Sequence, residues 1–182
     1  MKKILCILLI VAFAFTGTAQ TQDKPRITKE EQQHNIVVIN SVVINGVEWA
    51  TCNIGKRGKF VSKPYHSGKH YIWEDAKSAC PAGWRLPTKN EIESLLDVPN
   101  RWTKMNGVNG REFGTPPNTI FIPAAGYRNG RNGTLTGSGG AYWSSTAGGT
   151  GGAYILSFDY NHSKRGNSSR RYSFSVRAVA EK

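Results

Sequence analysis

The residues of this chain that could do chemistry are few, and their spacing groups them poorly. His66 and His70 stand four apart, which on a helix would turn two imidazoles toward one metal. Pro64 and Gly68 interrupt a helix there, and no carboxylate or third histidine completes a ligand set nearby, so the pair reads as solvated loop histidines. Ser144-Ser145 lacks the glycine-flanked strand-to-helix turn that presents a nucleophilic serine. Gly137 to Gly140 and Gly148 to Gly152 lack the Gly-Lys-Ser/Thr ending of a phosphate loop. Asp159 is the single acidic residue between Gly114 and Val179, too few carboxylates for a calcium ion that needs several oxygen ligands. The expectation is a protein that is not an enzyme and holds neither metal nor cofactor.

Charge and aromatic side chains point instead to binding. The chain carries 24 basic against 12 acidic residues, a formal charge of +12. From Asn100 onward the basic residues face only Glu112, Asp159 and Glu181, a balance that attracts polyanions. Arg128, Arg131, Lys164, Arg165, Arg170 and Arg171 are the candidate contacts for an anionic polysaccharide. A basic surface kept for solubility is the plainer alternative. Trp49, Trp73, Trp84, Trp102 and Trp143 could stack on sugars, although Trp84 and Trp143 read better as core.

The compartment follows from the N-terminus. Lys2 and Lys3 precede an apolar stretch from Ile4 to Phe15 that is too short to span a bilayer, and Gly17 and Ala19 suit a cut after Ala19. Residues 1–19 therefore read as a signal peptide, residues 20–35 as a flexible leader, and 36–182 as one binding domain. The mature chain is expected to have no transmembrane anchor, to reach the periplasm, cell surface or exterior, and to meet no intracellular nucleic acid. Cys52 and Cys80 remain after cleavage as an even pair in an oxidising compartment. A disulfide is predicted, with reduced, independently buried thiols as the alternative.

The elements that must position these residues are centred on Ala79 to Thr88, a corner of two prolines, a glycine, a tryptophan and an arginine. A helix from Tyr71 to Ala79 precedes it, and Thr88 with Glu91 three residues on forms a capping box for a second helix, Lys89 to Asp97. Upstream, Ile36 to Ile39 and Val42 to Ile44 are β-branched, and Asn45-Gly46 predicts a hairpin returning through Val47 to Ala50. Downstream, strands are predicted at Thr119–Ile122, Ala141–Ser144, Ala153–Phe158 and Ser173–Val179. In the third, Tyr154, Leu156 and Phe158 alternate with Ile155, Ser157 and Asp159, a fixed face and a free one. Two helices followed by short strands describe an α+β domain with a small, mainly antiparallel twisted sheet and a loop-rich C-terminal half.

Five blocks carry a family resemblance: Trp49-Ala-Thr-Cys-Asn-Ile-Gly, Cys80-Pro-Ala-Gly-Trp-Arg-Leu-Pro-Thr, Phe121-Ile-Pro-Ala-Ala-Gly-Tyr-Arg, Tyr142-Trp-Ser-Ser-Thr and Ser175-Val-Arg-Ala-Val. In this order they resemble the Fibrobacter succinogenes major paralogous domain, common in exported proteins of Bacteroidota, and the related C-terminal domain of the Legionella collagen-like adhesin. The resemblance implies a C-type-lectin-like fold and an adhesion or recognition role. It does not bring the Glu-Pro-Asn, Gln-Pro-Asp or Trp-Asn-Asp triplets of calcium-dependent lectins, nor the paired active-site cysteines of formylglycine-generating enzymes. Many members have cysteine or proline where Ala178 stands, which leaves Cys52 as the partner of Cys80.

Residues 143–177 also look like the variable region of proteins diversified by retroelements. That resemblance implies a framework of Trp143, Ser144, Ser145, Tyr154, Leu156, Phe158 and Val176 around variable positions such as Gly148, Gly149, Gly151, Ser163, Gly166 and Ser168. The expected ligand, a glycan or protein at the cell surface, would meet the face built by residues 142–171. Its candidate contacts are Tyr142, Ile155, Ser157, Asp159, Tyr160, Asn161, His162, Arg165, Asn167 and Arg170.

Overall fold

Asn45-Gly46 turns the first hairpin. Both residues have positive φ, 48° and 74°, as a type I′ turn demands. The turn joins β1 (Ser41–Ile44) to β2 (Val47–Asn53) with Ile44 opposite Val47. The computed structural model describes residues 41–130 and 132–182. The expected signal peptide, leader and strand at Ile36–Ile39, together with Arg131, lie outside the described residues.

The corner is built as its residues require. Helix α1 (Trp73–Lys77) precedes it and helix α2 (Lys89–Leu96) follows. Thr88 Oγ1 accepts the Glu91 backbone N–H, while the Glu91 carboxylate accepts the Thr88 N–H and takes a bidentate Arg85 at 2.7 and 2.8 Å. Between the helices, β3 (Trp84–Arg85) pairs with β12 (Arg177–Ala180), which also pairs with β2, giving the sheet order β1-β2-β12-β3.

Strand dominates the remainder. The order is β4 (Asn100–Met105), β5 (Val108–Thr115), β6 (Asn118–Pro123), β7 (Tyr127–Asn129), β8 (Asn132–Thr134), β9 (Gly139–Ala147), β10 (Gly152–Asp159) and β11 (Ser163–Ser169). They form a β4-β5-β6 sheet, a β11-β10-β9 sheet and the β7-β8 hairpin, with all strand pairs antiparallel. The described residues thus carry twelve strands against helices of five and eight residues. This corrects the expectation of an α+β, C-type-lectin-like domain around one small sheet: the domain is mostly β, divided among several small sheets.

The physical reason lies in segments that read as loops. In β4 and β5, Asn106-Gly107 turns a hairpin whose outer face is polar, with Arg101 donating to Glu112 across the strands at 2.7 Å. Strand β11, SKRGNSS, contains no apolar residue and is a strand because it pairs with the open edge of β10.

Two apolar clusters lie on opposite sides of the central strands. Trp49, Tyr142, Leu156 and Val179 enter the cluster with Ile92, Leu95, Phe113 and Phe158. Their neighbours Ala50, Trp143, Ile155 and Ala178 enter a second cluster with Trp73, Ala76, Leu86 and Phe174. Successive side chains point to opposite faces, so strands covered on both sides become near-continuous apolar runs. The short helices plug the flanks: α1 supplies Trp73 and Ala76 to one cluster, α2 supplies Ile92 and Leu95 to the other.

The predicted disulfide is also corrected, because Cys52 and Cys80 are both free thiols. Strand β12 is inserted between β2, which carries Cys52, and β3, which follows Cys80, so a backbone ladder joins hairpin and corner. Cys80 packs against the second apolar cluster, and burial pushes its thiol up to about 12.

Candidate functional site

Four of the five sequence blocks meet in one buried polar network. Arg177, 1 % exposed, donates from Nε to Asn53 Oδ1 at 2.8 Å, from Nη1 to the Ala50 carbonyl at 3.0 Å and from Nη2 to the Phe121 carbonyl at 3.2 Å. Asn53 Nδ2 donates to the carbonyls of His66 and Ser67 and to the Tyr142 hydroxyl, which donates to the Pro123 carbonyl at 2.6 Å. Burial without a carboxylate partner lowers the Arg177 guanidinium to about 10 and raises the Tyr142 phenol. The fifth block, the corner, joins through Pro87, whose carbonyl accepts the Ser145 N–H at 2.8 Å. Motifs far apart in sequence therefore clamp β2, β6, β9 and β12 around one point.

That clamp holds a cavity of about 440 Å³ on the outer face of the β9-β10-β11 sheet. Its floor is Ala141, Ile155, Ser157 and Ser168, with Asp159 at one margin. Its wall is an aromatic set: Tyr127 lies edge-on to Tyr172 with centroids 5.6 Å apart, and Tyr172 stacks on Phe174 at 6.1 Å and 9°. Reciprocal backbone bonds between Arg128 and Ser173, both 2.9 Å, fix Tyr127 beside Tyr172, and the Trp143 ring packs on Phe174 at 4.4 Å. The turn from Leu135 to Gly139 closes a third side; Leu135 takes a positive φ of 59° and is 57 % exposed. Glycine at position 140 lets Phe158 cross behind the floor, since a Cβ there would run into the Phe158 ring.

The cavity gathers some of the residues expected to bind and disperses others. Ile155, Ser157, Asp159 and Asn167 line it. Asp159 Oδ1 accepts the backbone N–H groups of His162 and Asn161 at 2.8 Å, which hold its carboxyl below the usual range. Tyr160, Asn161 and His162 form the exposed turn beyond β10, with Tyr160 70 % exposed and edge-on to Trp102. Tyr142 is buried in the network described above.

Arg165 and Arg170 are occupied within the fold. Arg165 pairs with Glu93 at 2.7 Å and lies over Tyr154, on the face of the sheet opposite Ile155. Arg170 lies over the Trp73 ring at 4.0 Å, across from Lys77 at 3.9 Å, and donates from Nε to the Gly152 carbonyl. Among the candidate variable positions, Gly148 has a packing role, because a Cβ there would sit 2.6 Å from the Asn167 side-chain amide.

Sequence reasoning missed Tyr127, Tyr172 and Phe174, the wall itself. Tyr172 and Phe174 are two apart at the entry to a predicted strand, the spacing of one strand face, and that signal was available. Among the described residues the lining contains no histidine, cysteine or basic side chain, and it pairs flat aromatic surface with scattered hydroxyls and one carboxylate. Such a surface suits the apolar face of a sugar ring or a planar side chain.

Fold and site together define a mostly β domain with a walled cavity. A family model described as a domain of unknown function (DUF8237) matches residues 102–179. The chain is similar to that family from β4 to β12, a stretch that contains the whole cavity lining. No curated protein and no solved structure matches the chain.

Proposed function

We propose that this protein is an exported, non-enzymatic recognition module that binds a glycan or protein ligand in the cavity on the β9-β10-β11 sheet. The observation that carries this reading is the meeting of Ile155, Ser157 and Asp159 with Tyr127, Tyr172 and Phe174 around about 440 Å³ of open space. A cavity floor continuous with the second apolar cluster gives a stiff platform, and rigid aromatic anchors bind with little loss of side-chain freedom. Variation at exposed positions of residues 143–177 would change the ligand while leaving the buried framework intact, which is how diversification by a retroelement would act. A reverse transcriptase gene next to a near-copy of these codons, differing mainly at adenines, tests that part.

The binding reading is tested by filling the cavity. Ser157→Phe places a ring on the floor, beside Ala141 and Ile155 of the second apolar cluster, and its fold is checked against the wild type by circular dichroism. The purified wild type and S157F are compared on glycan and protein arrays, with Lys104→Gln on β4, outside the cavity lining, as control. Ligands that bind the wild type and the control should be lost from S157F. Equal binding by all three proteins sinks the proposal.

A further inference from the structure

A second basin adjoins the first. It measures about 590 Å³ and is lined by the Gly148–Gly152 turn and by the end of β11 through Arg171. Asn167 and Ser168 belong to both linings, so the two basins are neighbours across the end of β11. Their chemistry differs. The first is walled by aromatic rings and carries Asp159, whereas the second has no acidic residue in its lining among the described residues and offers Arg171, Arg170 and the hydroxyls of Thr150, Ser168 and Ser169.

The donors of the second basin are only partly committed. Arg170 is spent on Trp73, the Gly152 carbonyl and Glu74, whose carboxylate lies 3.7 Å from Nη1. Arg171 is exposed, and its guanidinium has no ion-pair or hydrogen-bond partner among the described residues. In the turn, the N–H groups of Gly148 and Gly152 are used in backbone bonds, while those of Gly149, Thr150 and Gly151 have no partner among the described residues. A concave site with free backbone N–H groups, hydroxyls and one unpaired guanidinium fits a tetrahedral or planar oxyanion.

We infer that the ligand is an acidic saccharide: a sugar ring packs on Tyr127 and Tyr172, and its sulfate, phosphate or carboxylate substituent enters the basin between the Gly148–Gly152 turn and Arg171. This rests on the reading of the aromatic cavity as the ligand site. Asp159, at the far margin of the first basin, repels an anion bound the other way round and so sets the polarity of the chain.

The test titrates the full mature chain by calorimetry with matched tetrasaccharides: sulfated, uronate-bearing and neutral. The wild type should bind one or both acidic forms at least about tenfold more tightly than the neutral form, the difference expected of one charge-assisted contact. The sulfated and uronate arms separate the two sources of charge. Arg171→Gln should remove that preference, Arg171→Lys should restore part of it, and Lys104→Gln, an equal loss of charge on β4, should do nothing. Equal affinity for acidic and neutral sugars overturns the inference and leaves the cavity reading standing. Equal weakening by R171Q and K104Q also overturns it, in favour of diffuse attraction. If Tyr172→Ala leaves acidic binding intact while R171Q abolishes it, the anion basin stands and the aromatic cavity reading fails. No binding of any acidic tetrasaccharide overturns the inference outright.

Discussion

Arg177 and Asn53, 124 positions apart in the chain, are joined by a 2.8 Å hydrogen bond in a buried position where no carboxylate balances the guanidinium. Burying a cation is tolerable only when its donors are satisfied, and here an amide oxygen and two backbone carbonyls do so. Asn53→Ala leaves the Arg177 Nε and the His66 carbonyl without the amide, while the Ser67 carbonyl keeps only the Ser175 hydroxyl. Urea denaturation should show a loss of about 3 kcal/mol. A loss below about 1 kcal/mol would mean that water replaces the amide and that the clamp is not structural.

Glu91 provides a test in acid. Its hydrogen bond with Arg85, aided by the Thr88 backbone N–H, lowers its carboxyl from 4.5 to about 2. A carboxyl depressed in the folded state adds stability that is fully present above pH 4.5 and is lost as pH falls toward 2. The shift corresponds to about 3 kcal/mol. Glu91→Gln should be less stable than wild type at pH 7 and should approach it near pH 2. Parallel stability curves from pH 7 to pH 2 would exclude the pair as the source.

The thiols are measurable directly. Alkylation under denaturing, non-reducing conditions followed by mass spectrometry should label both Cys52 and Cys80. With its thiol near 12, Cys80 has a thiolate fraction of about one in ten thousand at pH 8, so native alkylation there should be very slow. Recovery of the mature protein as an oxidised Cys52–Cys80 species would contradict the free-thiol arrangement.

Arg111 is a buried cation of the opposite kind. It is 6 % exposed, and its Nε and Nη1 have no hydrogen-bond partner; burial lowers its guanidinium, and Asp159 only partly offsets this. Arg111→Met keeps the stem and removes the unpaired donors. The variant should be as stable as wild type or about 1 kcal/mol more so by urea denaturation. A clear loss would show that attraction to Asp159 outweighs the missing hydrogen bonds.

Local signals in the chain were legible where physics is local. Asn45-Gly46 made its turn, Thr88 and Glu91 made their capping box, and the alternation of residues 153–159 became a strand whose two faces enter different apolar clusters, so that the face expected to be free is largely buried. The Lys89 helix formed almost as its apolar stripe indicates, while the one before the corner shortened to Trp73–Lys77. The β4-β5 hairpin was signalled by Asn106-Gly107 but concealed by its polar outer face. Strand β11 had no signal at all, because an apolar-free sequence becomes a strand only when a neighbour offers an edge.

By itself, then, the sequence determined the turns, the caps, the corner and the alternation of β10, since each depends on residues within a few positions of one another. Tertiary structure alone decided the rest. It divided the strands among several small sheets, placed β12 between the two cysteine-bearing segments, and turned Arg165 and Arg170 onto Tyr154 and Trp73. It also brought Tyr127 and Tyr172 together as a wall, through backbone bonds between Arg128 and Ser173 that span 45 positions. Such contacts depend on strand order, which no local pattern encodes, and for that reason the alternation of β10 could be read from the sequence while the cavity could not.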